Sequence, residues 1–589
     1  MNQNHPIPVN IGQIYKMDSI YQMPLYQRAY CWKTNKELKA YKRDLERIFD
    51  VSTADSHEEV FLGAIILQET KTSSRVTTPR YVVIDGQQRL TTIYLTLAAL
   101  SSYAYEKGWV SDAASIIRNY MVSRGSGTED KPLLEPTNLD TNQFYAILRS
   151  LQAHDISTSI GQGKENGDLT SAYKYIQENI VREIIRDVDA EESKNTFDSF
   201  LECFLGNFVI ADVTLSEKHN PNEVFDRLNT KGIKLGIIDL IRNNLFKPYS
   251  DIKDSESFYN NKWLPFEKRL KTKHSDTKNI DKQVDNFFFP YAINKKHTIS
   301  KRSLVSELND FWKKTKSEDI IDDMAEYINP YFAIMSGKKF IERIPKNYSD
   351  NLKQVLKNIH ELAIPQASYP FFMRCLLEYE KGDLSEKDLI ECFNMIESFL
   401  VRRAFVFQEE GTGYNAIFKR LWVETGGKPK EVRKKMPTRT KQFPSDEEFK
   451  NSISKIPLYN MRIDKYCLLQ YEKFLMKNKK ESLNFNVVET IDHISPRNPK
   501  KLDKKEQEKY EKTLNLWGNL LPMSKPLNSS KSNRNINSIW DEISKQVRTE
   551  TSIEWFESYS KEDLWVPSLI LKRSKKIADW AVKRWPNFD

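Results

Sequence analysis

Cysteine is scarce in this sequence: Cys31, Cys203, Cys375, Cys392 and Cys467 are the only five in 589 residues. They are odd in number and no two form a CxxC or other close pair, so neither a disulfide framework nor a cysteine zinc site is expected. Ordinary reduced thiols are the expectation. Long apolar runs are lacking too, since no stretch of eighteen apolar residues occurs, and this argues against a membrane-spanning helix. The opening MNQNHPIPVN has neither a basic stretch nor an apolar core, so no secretion signal is expected and a cytoplasmic location follows. The absence of a GxxxxGK[ST] loop excludes a P-loop nucleotide site. Of the eight histidines, His5, His57, His154, His219, His274, His297 and His360 are scattered with no HxH or HExxH spacing, and no chemistry is assigned to them.

What is present is the composition of a folded protein. Hydrophobic residues make up 39% and aromatics 12%, too much for a disordered chain and too interrupted by charge for a membrane protein. A chain of 589 residues is expected to form two or three domains. The net charge of +9 is a mild bias toward a polyanionic partner and does not by itself indicate nucleic acid.

The pattern predicts an α+β multidomain protein. Residues 1–250 read as mixed α/β, with strands at Phe61–Gln68, Arg80–Ile84 and Phe208–Leu215, and a helix after Arg89 carried by Leu90, Ile93, Tyr94, Leu97 and Leu100. The polar stretches Ser123–Asp130 and Ile156–Thr170 read as loops. Residues 251–400 turn helical and highly charged and read as a helical connector, and residues 401–589 form a third, mostly helical region. Within it, the basic stretch from Lys428 to Lys441, interrupted by Pro429 and Pro437, reads as a linker or surface arm and is a candidate DNA contact. The Lys500–Lys512 run mixes both charges and reads as a solvated loop or helix face.

The segment from Val487 to Asn533 holds NVVETIDHISPRNP and then WGNLLPMSKPLNSSKSN. A short strand delivers Asp492-His493 into a Pro-bounded loop, a second strand begins at Gly518-Asn519, and an Asn-rich segment follows. That order suits a ββα-metal nuclease, in which a neutral imidazole takes a proton from water and hard oxygen ligands hold one Mg²⁺ or Mn²⁺. An isolated DHxxP is more often a plain turn; the downstream GNL and LNSSKSN segments favour the nuclease. These residues resemble the His-Me finger (HNH) domain in the second half of GmrSD-type modification-dependent restriction enzymes. The resemblance implies Asp492 as metal ligand, His493 as general base, Asn519 as the residue that orders the histidine loop, and Asn528, or alternatively Asn533, as second ligand.

Residues 81–92 read YVVIDGQQRLTT. A buried strand ends at Asp85, Gly86 permits a sharp turn, and Gln87, Gln88 and Arg89 open the following helix, whose N-terminus is suited to an anion, with Arg89 and Thr91 reinforcing it. The segments MPLYQRAYCW, 23–32, and VFDRLNTKGIKLGIIDLIRN, 224–243, are expected to converge on it. Asn229 and Gly232 would end one helix, with Asp239 and Arg242 on the next. Tyr26, Tyr30 and Trp32 read equally as core aromatics, and Asp239 with Arg242 as a structural ion pair. Together the segments resemble the ParB/sulfiredoxin-like domain in the first half of GmrSD-type enzymes. The resemblance implies binding, and often hydrolysis, of a nucleoside triphosphate, with Gln27, Arg28, Asp85, Gly86, Gln87, Gln88, Arg89 and Thr91 as the residues carried over.

With both halves in the family's order, the implied function is antiviral restriction. The chain would be a nucleotide-regulated, metal-dependent endonuclease that nicks or cleaves modified phage DNA, with self-association open. A nucleotide-gated DNA-binding protein without cleavage and a toxin-like RNase are the alternatives.

Overall fold

The computed structural model describes residues 7–16, 19–24, 27–52, 59–69, 79–123, 131–151, 167–186, 189–215, 236–249, 252–272, 280–335, 340–408, 413–438, 440–476, 490–495, 504–523, 549–559 and 566–588. The chain divides into two compact units, Met1–Pro265 and Phe266–Asp589.

The first unit is built on a mixed sheet. Its strands are β1 (Ile7–Asn10), β2 (Ile20–Gln22), β3 (Val60–Glu69), β4 (Arg80–Asp85), β7 (Leu134–Glu135) and β8 (Phe208–Leu215), in the order β1-β8-β3-β4-β2-β7, while β5 (Val122–Ser123) and β6 (Lys131–Pro132) pair separately. β3 lies parallel to β8 and antiparallel to β4, and β4 is parallel to β2. The three expected strands are present to within a residue or two. β1, β2 and the two-residue strands were not expected, since each is too short to show alternation.

Successive residues of β4 face opposite sides of the sheet. Val83 joins the main core, and Ile84 packs with Ile66 in a small cluster bordered by Val82, Val213 and Leu215. Helix α1 (Gln87–Glu106) fills the main core and is apolar nearly all round: Leu90, Ile93, Leu95, Leu97, Ala98 and Leu100 are all buried. Tyr30 is buried there and Trp32 packs against it; Tyr26 lies outside the described residues. Most of the two expected loops also lies outside them, and residues 168–170 open the helix Asp168–Ile176 instead.

The second unit is predominantly helical. Helix α3 (Glu386–Phe407) runs across the boundary between the expected connector and the expected third region, and its buried polar groups tie the two together. Glu397 accepts hydrogen bonds from Tyr466 and from Trp585 Nε1 at 2.8 Å and pairs with Arg584 at 2.6 Å. Arg402 donates to the carbonyls of Trp585 at 2.7 Å and Pro444 at 2.9 Å. The connector and the C-terminal residues therefore share one core. The basic stretch contains a short helix, α4 (Pro429–Lys435), rather than a free arm. Pro429 sits in its first turn, where a missing N–H costs nothing. Val432 and Met436 are buried, Arg433 is bonded to Asn587, and Lys428, Lys430, Lys434 and Lys435 are exposed. No helix among the described residues is long and apolar enough to cross a membrane.

Candidate functional site

The C-terminal candidate is a two-stranded ribbon. β9 (Thr490–His493) pairs antiparallel with β10 (Leu520–Met523), placing His493 opposite Leu520 and Asp492 opposite Leu521. The expected second strand starts slightly later than Gly518-Asn519, because Trp517–Asn519 form a single 3-10 turn ahead of it. That turn is wedged in place. Trp517 stacks on Phe405 of α3 at 5.8 Å and meets Trp580 edge-on at 6.1 Å. A Cβ on Gly518 would lie 2.3 Å from the carbonyl oxygen of Ile570 and 2.5 Å from Ser574 Oγ, so helix α5 (Pro567–Arg584) can come this close only to a glycine. Arg573 of α5 donates to the carbonyls of Gly518 at 2.9 Å and Leu520 at 3.3 Å.

Asn519 is wholly buried and bridges the loop after the histidine. Its Oδ1 accepts from Ser495 N at 3.0 Å, its Nδ2 donates to Leu514 O at 2.8 Å, and its backbone carbonyl accepts from Ile494 N at 2.8 Å. His493 is 4% exposed, with Nε2 2.9 Å from Asn515 Oδ1 and its ring 4.5 Å from that of Tyr459. Asn515 in turn accepts from Leu458 N at 2.9 Å and Tyr459 N at 3.3 Å through its backbone carbonyl. Neither Asn515 nor Tyr459 stood out in the sequence. The only signal was a second asparagine four places before Asn519.

Asp492 is buried beside the histidine. Asn528 and Asn533 lie outside the described residues, and among those described no three His, Cys, Asp or Glu side chains form a metal cage. A hard divalent cation that keeps most of its waters needs only one or two protein oxygens besides substrate phosphate. The Asp492 carboxylate is chemically suited to be one of them.

The N-terminal candidate is the turn between β4 and α1. Gly86 has φ +93°, and a Cβ there would lie 2.7 Å from Ile65 Cγ2, so conformation and space both require glycine. The Arg89 guanidinium turns back onto β3, where it donates to the carbonyl of Ala64. It fills the space that a side chain on Gly63 would need, 3.1 Å from where a Cβ would sit, at an irregularity in the β3–β8 pairing. Residues 27–32 lie across the same turn. Gln27 Nε2 donates to Val83 O at 2.8 Å and Ile84 O at 2.9 Å, and Gln87 Nε2 donates to Arg28 O at 3.3 Å. Gln88 Oε1 accepts from Cys31 N at 2.9 Å. The opposite amide oxygens, Gln27 Oε1 and Gln87 Oε1, are buried with no hydrogen-bond partner among the described residues. Arg28 and Asp85 are half-buried, and their side chains make no hydrogen bond or ion pair among the described residues. Thr91 is buried on α1.

Of the third segment, residues 236–243 are described. On helix α2 (Ile237–Phe246), Asp239 accepts from Gly236 N at 3.2 Å and pairs with Arg242 at 3.3 Å, a cap and ion pair of structural kind. Burial pushes the Cys31 thiol up, Arg28 opposes this, and Glu37 and Asp239 add to it, so α2 begins near Cys31. Asn229 and Gly232 lie outside the described residues.

Comparison with known families finds two matches. The N-terminal domain of the GmrSD restriction endonucleases matches residues 11–246, and the C-terminal domain of the same family matches residues 443–580. The first covers the β4–α1 turn and the second covers the β9–β10 ribbon. No curated protein matches the chain.

Proposed function

Since this chain belongs to the GmrSD restriction endonuclease family, carrying both of its domains in order, we propose that His493 is its general base and the β4–α1 turn a nucleotide site that regulates cutting. Modified DNA, phage-derived, is the substrate in this reading. The observation that carries it is the setting of His493: a buried imidazole at the end of a strand, with Nε2 held on Asn515 and the following loop bridged by Asn519.

The geometry suggests a division of roles. With Asn515 Oδ1 accepting, Nε2 carries the ring proton, so Nδ1 is the atom that takes a proton from water as it attacks the phosphodiester. Asp492, with Asn528 or Asn533, would hold a Mg²⁺ or Mn²⁺ ion. That ion, when bound, would neutralise charge developing on the phosphate and the leaving oxygen. At the other site, the side chains of Arg28 and Asp85 and the Oε1 atoms of Gln27 and Gln87, none of them bonded among the described residues, suit a ligand that carries both charge and hydrogen-bonding groups, and a nucleoside triphosphate has both.

The test is cleavage of matched modified and unmodified DNAs, with RNA alongside, in Mg²⁺ or Mn²⁺, with and without each nucleoside triphosphate. Wild-type protein should cut modified DNA and stop on chelation. His493→Ala should lose roughly 10²- to 10⁴-fold in rate or more while its fold and nucleotide binding are retained. Cutting by His493→Ala at the wild-type rate would remove the assigned base, and cutting of RNA in preference to DNA would redirect the substrate.

A further inference from the structure

The polar groups of the β4–α1 turn are not equivalent, and their hydrogen bonds sort them into two sets. Arg89 belongs to the set that builds the turn. Its guanidinium donates to Ala64 O and occupies the space above Gly63, whose φ of +101° and missing side chain accommodate it. Gln88 belongs there too, bonding Cys31 N at 2.9 Å and Ala29 O at 3.5 Å.

The second set is left over. Gln27 is 4% exposed and its Nε2 is committed to two carbonyls, so rotating the amide would set oxygen against oxygen; the orientation is dictated by the site. The same holds for Gln87, 9% exposed, whose Nε2 faces Arg28 O. Each therefore presents a buried acceptor oxygen with no donor among the described residues. An orphaned buried acceptor is costly and calls for a donor. A phosphate group is mostly ionised at neutral pH and acts chiefly as an acceptor, whereas the amino group of a base and the hydroxyls of a ribose are donors. Arg28 is a half-buried cation whose side chain makes no hydrogen bond or ion pair among the described residues, and its own carbonyl is the one that Gln87 holds.

Building on the nucleotide-site reading above, we infer that Arg28, not Arg89, meets the ligand's phosphates, and that Gln27 Oε1 and Gln87 Oε1 accept from N–H or O–H donors on its nucleoside. Arg89 is a structural pin. The ligand class is thus a nucleoside phosphate recognised at both ends, and inorganic polyphosphate satisfies only one of them.

Calorimetric titration of the full chain with ATP, GTP, CTP, UTP and sodium tripolyphosphate, paired with thermal unfolding, separates these roles. Arg28→Gln should weaken both the bound nucleotide and tripolyphosphate by about ten- to a hundredfold and leave the unfolding midpoint in place. Gln87→Met, similar in length and with only a weak acceptor, also gives up the bond to Arg28 O, so it should weaken tripolyphosphate somewhat and the nucleotide by a clearly larger factor. Arg89→Lys should lower the unfolding midpoint in the absence of any ligand. The inference is overturned if Arg28→Gln binds like the wild type, or if Arg89→Lys loses affinity with an unchanged midpoint. It is overturned equally if Gln87→Met loses both ligands in the same proportion. Failure of the wild type to bind any of the four nucleotides would instead remove the nucleotide site itself.

Discussion

At the scale of single residues, the histidine that the sequence singled out and the asparagine that it did not are joined by one 2.9 Å contact. Asn515 is a positioning residue in the proposed chemistry, because its carbonyl oxygen selects which ring nitrogen carries the proton. Replacing it with aspartate puts a negative charge opposite Nε2, which favours the imidazolium. The acidic limb of the pH–rate profile should then move upward, by about one to three pH units for a close charge pair, and activity near neutrality should fall. Asn515→Leu should lower kcat about 10- to 100-fold, as loss of an outer orienting partner does, with KM unchanged. A profile that stays in place in Asn515→Asp, together with a kcat within twofold of wild type in Asn515→Leu, would reduce Asn515 to a packing role. The glycines tell the opposite story. Gly86 was legible from its place after a buried strand, whereas the need for Gly518 comes from the carbonyl of Ile570 in α5, which no local spacing reveals.

At the scale of elements, the segment 27–32 is held on the turn by a buried carboxylate. Asp140 accepts from Tyr30 N at 2.7 Å and from Thr137 Oγ1 at 2.9 Å, while burial pushes its carboxyl up to about 6, against the pull of those two bonds. The folded state therefore binds this proton more tightly than the unfolded state. Between about pH 4 and pH 6 the native protein holds more protons at this position, so stability falls as pH rises through that window and levels off above it. Asp140→Asn removes the titration. Its stability relative to wild type should rise by about 2 kcal/mol between pH 4 and pH 7, because each tenfold difference in proton affinity between the folded and unfolded chain is worth about 1.36 kcal/mol and part of the effect lies below pH 4. Unfolding midpoints of both proteins across this range provide the check, and a difference independent of pH would rule the effect out. The strands β3, β4 and β8 were legible because each carries enough β-branched or aromatic residues to show its period. The strand β2 was not, since three residues show no period and its pairing with β4 depends on the rest of the sheet.

At the scale of the whole molecule, two sites on one chain raise the question of coupling. A nuclease of relaxed preference endangers its host, and in the proposed function the nucleotide site is the means of restraint. If the sites are coupled, nucleotide and DNA must change each other's affinity by the same factor, typically about five- to 150-fold. Nucleotide affinity measured with and without cognate modified DNA, in His493→Ala so that nothing is cut, should differ by such a factor. Equal affinities, with Arg28→Gln cutting like the wild type, would leave two independent domains. What the sequence by itself determined was the presence and order of the two motif regions, because a glycine turn after a buried strand and a histidine delivered by a short strand are local features, written within a few residues. Tertiary structure alone decided which of those residues face inward and which remain available. Arg89 is committed to Ala64, Gln27 and Gln87 each keep one oxygen unpartnered among the described residues, and α3 joins the helical stretch before residue 400 to the C-terminal core through Glu397 and Arg402. The physical reason is that a hydrogen bond between residues distant in the chain depends on where the fold brings their atoms, and local spacing carries no record of that.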